Sequence, residues 1–261
     1  MPFSDGTTKL LAVATRRLGG FSDDEVRLFE AITPAVAVNL EVQALRLTAR
    51  TLLETYVGRQ AGVRVLEGAI KRGMGESIGC VIWLCDLRGF TSMSEQLPRD
   101  ALIALLNDYF GCMCAAVEGA GGEALKFIGD AMLAVFPVTR DDAAAVCARA
   151  LKAAGDAEAA LSTCNLDRAK AGEAPIDYGI ALHIGEVMYG NIGGERRLDF
   201  TVIGPAVNLA ARIEGLCRDL SRTVLVSADF AAASGRKLRP LGEFSLKGLS
   251  APQRVFAADP V

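Results

Sequence analysis

Two aspartates stand where apolar strands end or turn. Asp86 closes the run from Cys80 to Cys85, and Asp130 follows Gly129 between the apolar stretches 125–128 and 131–136, the pattern of a β-hairpin. Carboxylates on neighbouring strands offer hard oxygen ligands, and Mg²⁺ sites commonly take one or two of them and leave the other positions to water and phosphate. Taken singly, either aspartate is better read as a turn residue or a helix cap. Lys126 lies four residues before Asp130 in an otherwise apolar strand, where a charge needs a partner or a purpose. Further on, Gly204 and Pro205 open a helix on which Asn208 and Arg212, four residues apart, share one face.

Positioning these residues requires alternating strands and helices. The periodicity predicts strand 80–86, helix 99–118, strands 123–128 and 131–136, helix 141–163, strand 176–186 and a loop or arm to about residue 200. A helix over 205–216 and strands near 222–226, 239–246 and 253–257 complete the chain. A βαββαβ order of this kind favours a split, ferredoxin-like α+β sheet over a doubly wound one. The pairs Gly121-Gly122 and Gly193-Gly194 read as turns.

The first 77 residues differ in character. Residues 9–14 are apolar enough for a short strand. Ser22 and Glu25 form a capping box, with Phe21 and Val26 as its hydrophobic staple, and so start a helix that Pro34 is expected to kink or restart. Ala35, Val38, Val42, Leu45, Ala49, Leu52 and Tyr56 follow an a/d spacing over about three heptads. That spacing suits either a two-stranded coiled coil or an amphipathic helix packed on its own domain. Gly58, Gly62, Gly68, Gly73 and Gly75 then punctuate a weaker helical linker.

Composition narrows the function. The chain has 261 residues, 51% of them hydrophobic, and a net charge of −3 without a long basic block, which disfavours phosphate-backbone binding to nucleic acid. No run of about 18 uninterrupted apolar residues and no secretory leader is evident, so a soluble, cytoplasmic chain without a transmembrane segment is expected. The seven cysteines lie within predicted strands and helices or, for Cys164 and Cys217, directly after one, as reduced thiols do, and Cys112 and Cys114 are too close in sequence for a usual zinc pair. His183 is the sole histidine and sits in an apolar strand, a structural setting; a Walker phosphate loop is absent.

Four motifs in order resemble the class III nucleotidyl cyclases over roughly residues 78–258. They are residues 86–91 (DLRGFT), 126–130 (KFIGD), 182–185 with 190–193 (LHIG and GNIG), and 201–212 (TVIGPAVNLAAR). A cyclic-dinucleotide synthase would carry an acidic Gly-Gly signature at the central hairpin, where this chain has Ile128-Gly129-Asp130.

The resemblance implies an adenylate cyclase that converts ATP to cyclic AMP and pyrophosphate in signal transduction. It implies that Asp86, with the adjacent Leu87, and Asp130 hold two divalent cations, Mg²⁺ or Mn²⁺. Lys126 and Thr201 would contact the purine, Asn208 would orient the ribose and Arg212 would stabilise the transition state. Backbone N–H groups at Gly89, Phe90 and Thr91 would cradle phosphates, and Lys247 would reach the triphosphate. In the family the metal aspartates and the other contacts come from different copies, which implies a homodimer with two composite sites. A donor-only Lys126 matches the unprotonated ring nitrogen of adenine and opposes the N–H of guanine. Thr201, where many members have Asp, resembles a bacterial subgroup, some of whose members respond to bicarbonate; Pro205 is a second departure. Residues 1–34 resemble the end of a GAF-type sensor domain and residues 35–77 a signalling helix and linker. The alternatives are a guanylate or relaxed-base cyclase, and a catalytically silent regulatory module of the same fold.

Overall fold

The computed structural model describes all residues except 69–70, 72, 74, 139–141, 195–196 and 259–261. The chain divides into two units, Met1–Tyr56 and Val57–Val261.

In the first unit, helix α1 (Asp23–Tyr56) starts at the expected capping box. The Ser22 N–H donates to the Glu25 carboxylate at 2.7 Å, and the Glu25 N–H reaches Ser22 Oγ at 3.4 Å. Phe21 packs edge-on against Phe29, with ring centroids 5.1 Å apart, while Val26 is exposed, so the staple closes one turn later than expected. The helix runs through Pro34 without restarting. Proline removes one donor, and both Pro34 and Glu30, whose carbonyl loses it, are exposed to water that serves the carbonyl instead. Residues 9–14 form no strand: Lys9 exchanges backbone hydrogen bonds with Met1, but the segment joins no sheet among the described residues, and Leu10 is 92% exposed. Val38, Val42, Leu45, Leu52 and Tyr56 are all exposed on α1.

The second unit opens with α2 (Arg59–Leu66), β1 (Gly75–Leu87), α3 (Phe90–Gln96), α4 (Arg99–Gly119), β2 (Glu123–Ile128) and β3 (Ala131–Pro137). It continues with α5 (Ala143–Lys170), β4 (Tyr178–Gly193), β5 (Leu198–Ile203), α6 (Pro205–Glu214), α7 (Leu216–Asp219), β6 (Val224–Ser227), α8 (Ala228–Ala233), β7 (Arg239–Phe244) and β8 (Gln253–Ala257). The sheet order is β2-β3-β1-β4-β6-β8-β7, with β5 paired to β4. The first four of these strands with α4 and α5 make the expected split βαββαβ unit, and among the described residues only β4 and β6 pair in parallel.

Strand alternation divides the core between two faces of the sheet. Val81, Trp83 and Cys85 of β1 pack with Leu105, Tyr109 and Met113 of α4 and with Val146, Ala150 and Ala157 of α5. Cys80, Ile82 and Leu84 point the other way, onto Leu125, Tyr189, Phe200 and Val202 and the α6 residues Ala206 and Ala210. Asp142 caps α5 by accepting from the Ala145 N–H at 2.7 Å, one residue after the expected start, and α5 runs seven residues past its expected end. α1 and α4 are both long and apolar enough to cross a membrane by length and composition, yet α4 buries five residues in this core.

The arm expected as a loop is ordered as the end of β4 and the added strand β5. The short helices α3 and α8 were not anticipated either. All seven cysteines are free thiols, as expected, and burial pushes those of Cys80, Cys85 and Cys217 up to about 12. His183 is structural: its Nδ1 lies 2.8 Å from the hydroxyl of Ser227, the residue that caps α8.

Candidate active site

The register of the central strands brings the two aspartates together. Asp86 pairs across β1–β4 with Gly179, and its neighbour Cys85 pairs with Met132 of β3. The turn between β2 and β3 is Gly129-Asp130, with Gly129 in the left-handed region (φ 66°), so Asp130 is delivered beside the tip of β1. Burial first, then direct contact with the Asp130 carboxyl and its charge, push Asp86 up to about 7, and the charge of Glu214 adds to this. Asp86 Oδ1 is buried without a hydrogen-bond partner.

A crowded pair of carboxylates with an orphaned buried oxygen is the donor set a hard divalent cation satisfies. Among the described residues no cluster of three or more His, Cys, Asp or Glu forms a ready cage. The aspartate pair would therefore supply a minority of the ligands, as an Mg²⁺ site open to phosphate requires.

Glu214 escaped sequence reasoning because it sits two positions beyond Arg212 with no motif of its own. Its Oε1 lies only 2.6 Å from where a Cβ on Gly179 would project, which places it against the residue paired with Asp86. Burial raises the Glu214 carboxyl while the charge of Arg88 opposes that rise. Arg88 in turn donates to the carbonyl oxygens of Cys217 (3.2 Å) and Arg222, holding the end of β1 to the chain beyond α6.

A second cluster lies around Lys126. Through Leu133 and Leu84, Lys126 is level with Ala181 on β4, whereas Asp199 of β5 pairs with Ile192, eleven residues farther along β4. Yet Lys126 Nζ and Asp199 Oδ2 form an ion pair. The contact requires the β4–β5 arm to fold back over the sheet, and Tyr189, Phe200 and Val202 of the arm do pack on Ile82, Leu84 and Leu125. Thr201, two residues from Asp199, is buried in the same arm. Asp199 was not singled out from sequence because the arm itself read as a loop.

On α6, Gly204 is the N-cap and Pro205 the first residue; Ala206, Ala210 and Ile213 are buried, whereas Asn208 and Arg212 are exposed. The pair thus projects away from its own sheet, as the four-residue spacing predicts. Gly89, with φ 73°, turns the chain into α3, so the first N–H groups at Phe90 and Thr91 have no place in the intrahelical ladder. Leu87 is buried at the end of β1, and Lys247 is exposed between β7 and β8. One chain therefore gathers Asp86 with Asp130, and Lys126 with Asp199 near Thr201, while Asn208 and Arg212 face outward.

Residues 75–256 match the family described as the adenylate and guanylate cyclase catalytic domain. The chain belongs to this family. Among similar curated proteins, the adenylate cyclase of Anabaena cylindrica is 38% identical over 194 residues, which span 73% of this chain and 37% of that protein. Two solved cyclase structures share the architecture. The adenylyl cyclase CyaB from P. aeruginosa is 27% identical, with a TM-score of 0.61 over 72% of this chain and 97% of that one. The guanylyl cyclase Cya2 is 31% identical, with a TM-score of 0.62 over 70% of this chain and 92% of that one. The family includes both adenylate and guanylate cyclases, so membership does not fix a purine, and that choice turns on the chain's own residues.

Proposed function

We propose that the chain is an adenylate cyclase, forming 3′,5′-cyclic AMP and pyrophosphate from ATP at two composite sites of a homodimer. The observation that carries this reading is the Asp86–Asp130 pair with its orphaned oxygen, found in the same fold as a lysine at the purine-contact position. Asp86, with the adjacent Leu87, and Asp130 would hold two divalent cations, Mg²⁺ or Mn²⁺. When bound, these cations lower the pKa of the ribose 3′-hydroxyl and offset phosphate charge.

The remaining groups bind and orient. Lys126 donates to the free ring nitrogen of adenine, with Asp199 fixing the direction of its ammonium group, and the Thr201 hydroxyl accepts from the adenine amino group. Asn208 aligns the ribose. Arg212 presents a permanently charged donor fork to the oxygens of the α-phosphate as the 3′-oxygen attacks in line, which favours the transition state over the ground state. The N–H groups at Gly89, Phe90 and Thr91, together with Lys247, hold the departing pyrophosphate.

Two features support the dimer. Asn208 and Arg212 are exposed on the outer face of α6, where the aspartate pair of a second copy would meet them. In addition, Phe127, Ile128, Met188 and Ile203 are 46–53% exposed around the hairpin and arm that carry the purine contacts. The reading assigns α1 from residue 35 as the dimer's signalling helix, residues 1–34 as the remnant of a sensor domain, and the cytoplasm as the place of action.

The test is product formation by the purified chain with ATP or GTP, each with Mg²⁺ or Mn²⁺, beside Asp86→Ala. Cyclic AMP that depends on Asp86 is expected. Cyclic GMP as the main product would overturn the base assignment, and a stable dimer that binds cations but turns over neither nucleotide would favour the silent regulatory module.

A further inference from the structure

Glu123 is a carboxylate with no place in the cyclase motifs, and it is 5% exposed. Carboxylates are seldom buried to that extent without full hydrogen bonding. This one accepts three hydrogen bonds from two separate elements. The backbone N–H groups of Gln60 and Ala61, in the first turn of α2, donate to Oε1 at 2.9 and 3.2 Å, and the Tyr189 hydroxyl donates to Oε2 at 2.9 Å. An acidic group at a helix N-terminus satisfies orphan donors and complements the helix dipole.

The surroundings are built to keep this contact. Gly58, the N-cap of α2, takes φ 99°, and a Cβ there would lie 3.4 Å from Glu123 Oε1 and 3.5 Å from the Ala124 carbonyl. Tyr189 is 1% exposed, its ring covered by the Arg64 guanidinium of α2 at 4.8 Å, and Arg64 also pairs with Glu76 at 2.6 Å. Two elements, α2 and β4, are thus joined to β2 through one side chain. Glu123 begins β2, three residues before Lys126, with the strand's register break lying between Ala124 and Lys126. Tyr189 pairs with Val202, and the next pair along the ladder is Gly190 with Thr201.

We propose that Glu123 is a positioning residue for purine recognition: it ties α2, through which the upstream helix is covalently joined to the catalytic unit, to β2, which carries Lys126, and to β4, whose ladder partner β5 carries Thr201. The proposal rests on the adenylate cyclase reading for the roles of those two residues. A displacement of α2 withdraws two donors from a buried carboxylate, so β2 and the arm must follow it. Asp86 and Asp130 lie at the opposite end of the β2–β3 hairpin, and the tie does not touch them. Glu123 therefore governs base binding and base choice more than the rate of the chemical step.

The test uses the full chain with Glu123→Ala, Glu123→Gln and Tyr189→Phe. Measured for each are kcat and KM for ATP and GTP, binding of a fluorescent ATP analogue, and hydrogen exchange of the peptide spanning residues 59–62. For Glu123→Ala, KM for ATP should rise at least about fivefold, on the scale of losing hydrogen bonds to a charged group. The ATP-over-GTP preference should narrow, kcat should stay within about twofold, and the 59–62 amides should exchange faster. Glu123→Gln keeps an acceptor for the α2 amides and should restore most of the parent's KM. A fall in kcat with KM and base preference unchanged would overturn the proposal. If Glu123→Ala does not fold, Tyr189→Phe, which removes only a hydroxyl, decides: unaltered analogue affinity and base preference would equally overturn it. A parent that binds the analogue without turnover defeats the cyclase reading, while the comparison of analogue affinities still judges Glu123.

Discussion

Replacing Asp86 by Asn should make the cation-free protein more stable at alkaline pH. Asp86 ionises near 3.8 in an unfolded chain and at about 7 in the fold, because burial and the Asp130 carboxyl disfavour its charge. The folded state therefore holds an extra proton between those values. The cost of ionising Asp86 is absent below pH 3.8, grows through the interval and is complete above pH 7. Full burial would make that cost about 4 kcal/mol at 1.36 kcal/mol per tenfold change. Asp86 is only half-buried, and solvent screening reduces it to about 1–2 kcal/mol. For a domain of this size that corresponds to a melting-temperature gain of roughly 2–8 °C for Asp86→Asn at pH 8 in EDTA. At pH 5 the gain should be under half as large. Thermal melts at both pH values, with EDTA or with Mg²⁺ or Mn²⁺, measure it. The cations should raise the parent's melting temperature and leave the variant's nearly unchanged. The reasoning is refuted if the variant melts no higher than the parent at pH 8 in EDTA, or if cations stabilise both equally.

Three further outcomes are expected. Asp86→Ala mixed with Arg212→Ala should regain activity from one intact composite site per heterodimer, and confirmed mixed dimers without activity would exclude a shared site. Lys126→Glu exchanges a donor for an acceptor, so ATP turnover should fall by at least about tenfold relative to GTP turnover, read by product chromatography. Gly122→Ala would drive a Cβ to within 2.6 Å of the Phe136 ring and 2.8 Å of Val117, both in the core, and should destabilise by about 1–3 kcal/mol in urea melts without altering KM for ATP.

The strongly alternating strands were legible in sequence because burial on one or both faces imposes its period on residue type. β2 and β3 and the capping box at Ser22 and Glu25 lie where periodicity and turn chemistry placed them, whereas β1 covers its expected 80–86 but begins five residues earlier, at Gly75, in what read as linker. The aspartate pair was legible for the same reason, since a charge at the end of an apolar strand must meet a counter-charge, a ligand or open water. What failed was local inference about long-range contact. Gly190, Gly193 and Gly194 disguised the arm as a loop, although pairing with β4 makes β5 a strand. Residues 9–14 had a strand's composition and no strand to join. Glu214 and Asp199 look like ordinary surface acids until the fold sets them beside Gly179 and Lys126.

The folded-back arm also bears on how the molecule is made. Lys126 and Asp199 are 73 residues apart, and Glu123 and Tyr189 are separated by 66. Contacts across such spans demand loop closure before they return any stabilisation, and they slow folding accordingly. The β2–β3 hairpin can form on its own early in synthesis, but its lysine has no counter-charge until β5 has been translated and has docked. The surface proposed to read the base is therefore completed late, and a chain stalled before residue 199 would display a hairpin that carries Lys126 and Asp130 without the Asp199 partner.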